Sequence, residues 1–273
     1  MTDLRSSPLA RAATYPDRLD PRLLFPVDRA PQRTELGFDT GLPFGGVDLW
    51  TAYELSWLNG AGKPEVAIAT FAVPADSPRI VESKSVKLYL AGFNLTRFDS
   101  AADVAAVLSR DLSAAAGAAV DIALMPPDGT GALPQAGFTG ICLDTLPLAL
   151  DDRSPVPEAL AAGAPACAES LFTRLFRSVC PVTGQPDYAC VQVNYRGARI
   201  DPAGLLRYLV SFRRHPGFHE HCVERIFADV WRRCRPEALS VYARFTRRGG
   251  IDINPWRSSE GGRPPLHVRT ARQ

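Results

Sequence analysis

Cys180 is the first residue in this chain whose type and setting could do covalent chemistry. It lies in RSVCPVTGQPDYACVQV, where Pro181, Gly184 and Pro186 make a turn-rich loop before an alternating run. Loops of that kind carry reactive groups, and a cysteine acts as a nucleophile when its thiolate is accessible. Asp187 follows seven residues later at the mouth of the next strand, where a carboxyl could deliver a proton to the group under attack. Taken alone, a buried structural thiol beside a turn aspartate is the commoner arrangement, because cysteine is among the most buried residue types.

Three further clusters bear on binding. His219-Glu220 opens a helical stretch after Gly217-Phe218, and Glu220 could accept N–H donors from a purine-like ring. A dipole-stabilised first turn would account for the same residues. In ESKSVK (82–87) two serines and two lysines stand close enough to bind a phosphate; a solvated helix start is the plainer alternative. Arg247-Arg248-Gly249-Gly250 offers guanidinium forks for phosphate and glycines that let a ligand approach the backbone. A basic turn after a strand is equally ordinary. Lysine is rare here: Lys63, Lys84 and Lys87 are the only three, so two of them share one short motif.

The elements that must position these residues are read from periodicity. Residues 48–57 and 65–73 read as two strands around an Asn59-Gly60 turn. Ser100 and Asp103 resemble a capping box before Val104, Val107, Leu108 and Leu112 at helical spacing, and 118–125 reads as a strand. Further on, 188–195 alternates, Asp201-Pro202 caps a helix, 219–234 carries one apolar stripe, and 239–246 alternates again. Each half thus runs strands, helices, strand, without residue-level identity between the halves. There is no βαβ alternation and no GxGxxG, which excludes a dinucleotide-binding fingerprint and favours an α+β fold with antiparallel sheet. The expected domains are an N-terminal arm over 1–45 without clear period, a first module with its connection over 46–168, and a second, catalytic module over 169–273. The 126–168 stretch reads as short edge strands and linker.

Composition narrows the function class. A net charge of +2 is too weak for bulk nucleic-acid binding, and no run approaches the roughly 18 apolar residues of a membrane span. The charged, proline-bearing first twenty residues lack a secretory core, so a soluble cytoplasmic protein with free thiols is expected. The other cysteines are Cys142, Cys167, Cys190, Cys222 and Cys234, and no CxxC pair is present. Cys180 and Cys190 are close enough in sequence that a disulfide between them stays open.

The segments DLWTAYELSWLN, ESKSVKLYL with FNLTRF, CPVTGQPD, YLVSFRRHPGFHEHCVERIF and SVYARFTRRGGIDINPWRS are long and specific. Through them the chain resembles the NADPH-dependent 7-cyano-7-deazaguanine reductases of queuosine biosynthesis, a tRNA modification, in their two-module form. The arm and the 126–168 connection match poorly. The resemblance implies two tandem tunnelling-fold modules, each an antiparallel sheet with two helices on one face, in a homodimer. It implies Cys180 as nucleophile, Asp187 as proton donor and His219 in proton movement. Val81, Glu82, Ser83, His219 and Glu220 would hold the deazaguanine nitrile. Ser83, Lys84, Arg248 and Gly249 would hold NADPH, two molecules per turnover, with no metal. Because these segments come from both halves, the site is expected where modules meet. Competing readings are a cysteine-dependent nitrile hydrolase, a GTP-cyclohydrolase-like enzyme of the same fold, and a binding protein with an inert Cys180. The four histidines are not spaced with cysteines as the metal site a cyclohydrolase generally needs.

Overall fold

Asn59-Gly60-Ala61-Gly62-Lys63 breaks the first alternating run. The Asn59 side-chain oxygen accepts the Ala61 and Lys63 N–H groups (3.1 and 3.0 Å), and Gly62 takes a φ of 86° that favours glycine. The computed structural model describes residues 15–128, 134–152 and 154–273. Parts of the expected arm (1–14) and connection (129–133 and 153) lie outside the described residues. Among the described residues no helix is long and apolar enough to cross a membrane. The fold is α+β, and the chain divides into two units.

The first unit takes its described residues from Met1–Asp39, Asp48–Pro134 and Arg247–Ile253. It holds β1 (Pro26–Asp28), α1 (Ala30–Glu35), most of β2 (Gly45–Leu58), β3 (Pro64–Pro74), β4 (Arg79–Val81), α2 (Ser83–Ala91), α3 (Ala101–Ala116) and β5 (Asp121–Met125). Strand order is β5–β3–β2 and then the first residues of β10 (Ile251–Ser258). Trp50, Leu55, Phe71, Tyr89, Phe93, Val104 and Leu108 share one core. Each large apolar side chain buried there stabilises the unit by about 1.5–3 kcal/mol. The expectation of a period-less arm needs correcting within 15–45. β1 pairs with β4, and α1 follows it. Arg29, 1% exposed, forms an ion pair with the equally buried Asp48. An isolated three-residue strand carries no readable period, so its pairing is invisible before folding.

The second unit takes Thr40–Val47, Gln135–Thr246 and Asn254–Gln273. It holds β6 (Ile141–Cys142), β7 (Ala162–Val179), β8 (Pro186–Ile200), α4 (Pro202–Val210), α5 (His219–Cys234), β9 (Ala238–Phe245) and the end of β10. β7, β8, β9 and the end of β10 pair antiparallel in that order, and β6 adds to β7 in parallel. β7 runs unbroken through residues 168 and 169, across sequence read as linker and module start. Leu205, Leu209, Phe212, Val223, Ile226 and Phe227 are fully buried.

Helix pairs α2–α3 and α4–α5 follow one plan at residue level, which the sequence reading missed. Glu82 caps α2 by accepting from Lys84 N and Ser85 N, and Asp201 caps α4 by accepting from Ala203 N and Gly204 N. Tyr89 donates to Asp111 at 2.8 Å, and Tyr208 to Asp229 at 2.6 Å. Phe93 and Phe212 stand edge-on to those tyrosines, both at 5.3 Å. Only a few positions recur, too few to register as repetition against ordinary helical composition.

Arg257 and Glu224, 0% and 1% exposed in their side chains, form a 2.8 Å ion pair in the second unit. Removing one partner of such a pair strands a buried charge. Glu224→Ala is therefore expected to lower unfolding free energy by about 3–5 kcal/mol, read as a fall in the urea midpoint.

Candidate active site

β7 ends at Val179 and β8 begins at Pro186, so Cys180 opens the turn between them. Two backbone bonds close that turn: Cys180 N to Gln185 O at 2.8 Å, and Gly184 N to Cys180 O at 2.9 Å. Gly184 takes a φ of 68°, which explains a glycine there. The other side of the turn is tied down by Val179 N to His215 O and Gly217 N to Val179 O. Cys180 is only 8% exposed, which corrects the expectation of an exposed loop thiol: the loop folds its cysteine inward.

Strand register supplies the carboxyl. Ser178 pairs with Asp187, and Asp187 is 4% exposed. The first turn of α5 supplies the rest. His219 Nε2 stands 3.5 Å from Asp187 Oδ2, and Glu220 is 2% exposed. A carboxylate there gains from the helix dipole, which offsets part of its desolvation. Cys222, one turn further, has its thiol pushed up to about 12 by burial, with Asp187 and Glu220 adding to the shift. Burial likewise pushes Cys234 up to about 11. Neither carries appreciable thiolate at neutral pH, which separates them from a nucleophile's task.

The first unit brings together the two basic clusters. Val81 is buried at the end of β4. Glu82, 1% exposed, receives the N–H groups of Lys84 (2.7 Å) and Ser85 (2.8 Å). Burial raises its pKa, against the lowering pull of those bonds and of Lys87 and Lys84. Both carboxylate oxygens are thus already engaged in capping α2, and a ligand ring would use their remaining lone pairs. Ser83 and Lys84 are part-exposed, and Lys84 Nζ donates to the Tyr15 hydroxyl at 3.2 Å. Arg248-Gly249-Gly250-Ile251 is a tight turn with φ of 59° and 79° at the two glycines, closed by Arg248 N to Ile251 O at 2.9 Å. A Cβ on Gly249 would stand 3.2 Å from the Lys87 Cδ and Cε atoms, so the lysine stem lies against this turn. Arg247 stacks over Tyr53 at 4.7 Å.

Of the expected residues, Cys180, Asp187, His219 and Glu220 therefore fall in the second unit; Val81, Glu82, Ser83, Lys84, Arg248 and Gly249 fall in the first. Sequence reasoning missed two features. One is that RRGG joins the unit of ESKS although β9 precedes it. The other is the contact of Lys87 with Gly249; its signal was the scarcity of lysine outside this motif.

Fold and site together define an α+β protein whose chemistry-bearing side chains sit at a hairpin turn and at helix ends, not on a dinucleotide-binding βαβ unit. Comparison with known proteins identifies the family. A family described as "Nitrile reductase, 7-cyano-7-deazaguanine-reductase N-term" matches residues 15–124, and one described as "QueF-like protein" matches 186–263. The NADPH-dependent 7-cyano-7-deazaguanine reductase of Bordetella pertussis is 56% identical over 271 residues, 99% of each chain. Those of Chromobacterium violaceum (54% over 269 residues, 98% of this chain and 96% of that relative) and Burkholderia multivorans (54% over 270 residues, 98% of each) are similarly related. This chain belongs to the 7-cyano-7-deazaguanine reductase family.

Two histidines in the second unit give a pH signature. Burial, with Arg225 adding, lowers His215 to about 4; burial, with Arg244 adding, lowers His267 to about 4. Both imidazoles thus stay neutral in the fold where an unfolded histidine, near 6.5, takes up a proton. Their contribution to stability is complete above pH 6.5 and is lost as pH falls toward 4. Chemical denaturation across that window should fall less steeply for the double variant His215→Asn, His267→Asn than for the parent protein.

Proposed function

We propose that this chain reduces the nitrile of 7-cyano-7-deazaguanine to the primary amine with NADPH, through a covalent thioimide on Cys180. The observation that carries the mechanism is the sequestered group at the β7–β8 turn: Cys180 at 8% exposure, Asp187 at 4%, and His219 3.5 Å from Asp187. The reductase names of relatives more than half identical over nearly the whole chain support the substrate and the reductant.

A nitrile is a poor hydride acceptor, and forming a thioimide splits one hard reduction into easier steps. The Cys180 sulfur bonds to the nitrile carbon, one C–N π bond breaks, and Asp187 protonates the nitrogen. NADPH, when bound, supplies a hydride, and each amine formed consumes two. After the first hydride reaches the carbon, the C–S bond breaks, the Cys180 thiolate leaves, and an imine remains. The second hydride and a proton complete the amine, for four electrons in all. His219 passes protons to Asp187, whose Oδ2 stands 3.5 Å from its Nε2. Burial of Cys180, Asp187 and Glu220 suits an imine that water would hydrolyse.

Glu220 accepts from the ring N–H groups of the deazaguanine, and Val81, Glu82 and Ser83 are the first unit's candidates for the same ring chemistry. Ser83, Lys84, Arg248 and Gly249 would hold NADPH; the donor set fits a phosphate-bearing ligand. We read the chain as two tandem tunnelling-fold modules, and the recurring Tyr–Asp lock of the helix pairs supports that reading. The working form is taken to be a cytoplasmic homodimer in queuosine biosynthesis, with no metal.

Intact-mass measurement after mixing with 7-cyano-7-deazaguanine, without NADPH, tests the central step. The parent protein should gain the mass of one substrate molecule, and Cys180→Ala should gain nothing and lose turnover. A Cys180→Ala variant that still consumes NADPH with this substrate overturns the mechanism. Asp187→Asn should slow adduct formation by about 100-fold or more. Glu220→Ala should instead weaken substrate binding by roughly 10- to 100-fold, the loss of a charged acceptor. Substrate-dependent NADPH oxidation separates this reading from nitrile hydrolysis.

A further inference from the structure

We infer that Phe245 is a positioning residue for the His219–Asp187 pair, and that Gln273 holds Phe245 in place. The inference rests on the reading of His219 given above. The two rings lie 3.8 Å apart between centroids and 5° from parallel, so Phe245 presents a flat floor to the imidazole. Phe245 is fully buried and is braced edge-on by Phe176 at 6.0 Å. It pairs across the ladder with Ala189, two residues beyond Asp187 on β8. One strand thus fixes the carboxylate, and its neighbour fixes the surface on which the imidazole rests.

Phe245 is also the last residue of β9, where a strand would ordinarily fray. Side chains take over its backbone groups. Phe245 N donates to Asn254 Oδ1 at 3.2 Å, and Phe245 O accepts from Gln273 Nε2 at 3.0 Å. The same Gln273 nitrogen donates to Asn254 Oδ1 at 2.7 Å, closing a ring of three bonds. Gln273 is held in turn by Thr270, whose N–H donates to Gln273 Oε1 at 2.9 Å and whose carbonyl accepts from Gln273 N at 3.1 Å. Gln273 is 9% exposed, so these bonds are shielded from water. A rigid floor leaves the imidazole with its plane fixed and Nε2 directed at Asp187 Oδ2. Loss of the flat face lets the ring tilt, and small misplacements of a proton-transfer group cost rate steeply.

A double-mutant cycle on adduct formation tests this. F245L keeps apolar volume but removes the flat face, and should slow adduct formation by about 10- to 100-fold with the KM for NADPH unchanged. F245Y, which keeps a flat ring, should restore the rate to within about threefold of the parent. In an H219A background neither F245L nor Q273A should slow the step further. Q273A, which leaves every ring in place, carries the same cycle should F245L fail to fold, and should slow the step by about threefold or more. Equal losses with and without His219 would show that Phe245 and Gln273 act independently of it and overturn the inference, leaving the Cys180 chemistry standing. If H219A alone leaves the rate unchanged, the role of His219 falls, and the inference falls with it.

Discussion

Asp144 pins a bulge in β7, and the facing of everything beyond that bulge follows from it. Thr173 pairs with Val191 and Phe176 with Ala189, so Arg174 and Leu175 on β7 oppose Cys190 alone on β8. Asp144 accepts from Thr173 Oγ1 at 2.7 Å, from Arg174 N at 3.0 Å and from Arg174 Nε at 2.7 Å. Burial alone would raise its pKa, but these bonds hold it below the usual carboxylate range. Side chains alternate along a strand, so one extra residue inverts the facing of all that follow. Leu171 and Thr173 are buried before the bulge; Phe176, Ser178 and Cys180 are buried after it. Without the extra residue Leu175, now 42% exposed, would continue inward, and Cys180 would be phased outward.

The register then carries the constraint across the hairpin. Ser178 opposite Asp187 puts the carboxyl on the face that the bulge selects. The first turn of α5 adds His219 and Glu220. Burial of two carboxyls and a thiol in one place is costly in isolation and is sustained only where opposite charge, helix dipole or ligand compensates. Such a site is tuned by its surroundings, which is why the ring beneath His219 and the amide that closes the end of β9 matter to it.

What was legible in the residues was mostly local. Ser100 with Asp103, and Asp201 with Pro202, announced their helices because a cap and its N–H partners lie within one turn of chain. The strand over 188–195 was readable because strict alternation, with Val191, Val193 and Tyr195 on one face, marks a half-buried surface. β7 was not readable over 162–179: its start is rich in glycine, alanine and proline, and the bulge breaks its alternation at 174–175. The Tyr–Asp locks escaped notice because each depends on two residues more than twenty apart, brought together only by helix packing.

The sequence by itself determined the family, the candidate nucleophile and acid, and the residue types at each binding cluster, because these are matters of side-chain chemistry carried in contiguous motifs. Only the tertiary structure decided that Cys180 is buried rather than displayed, that Asp187 meets His219, and that the RRGG turn lies against the Lys87 stem. Each of those depends on strand register, on one bulge and on chain segments tens of residues apart. Register and long-range pairing are settled by which faces can be buried together, and no local motif carries that information.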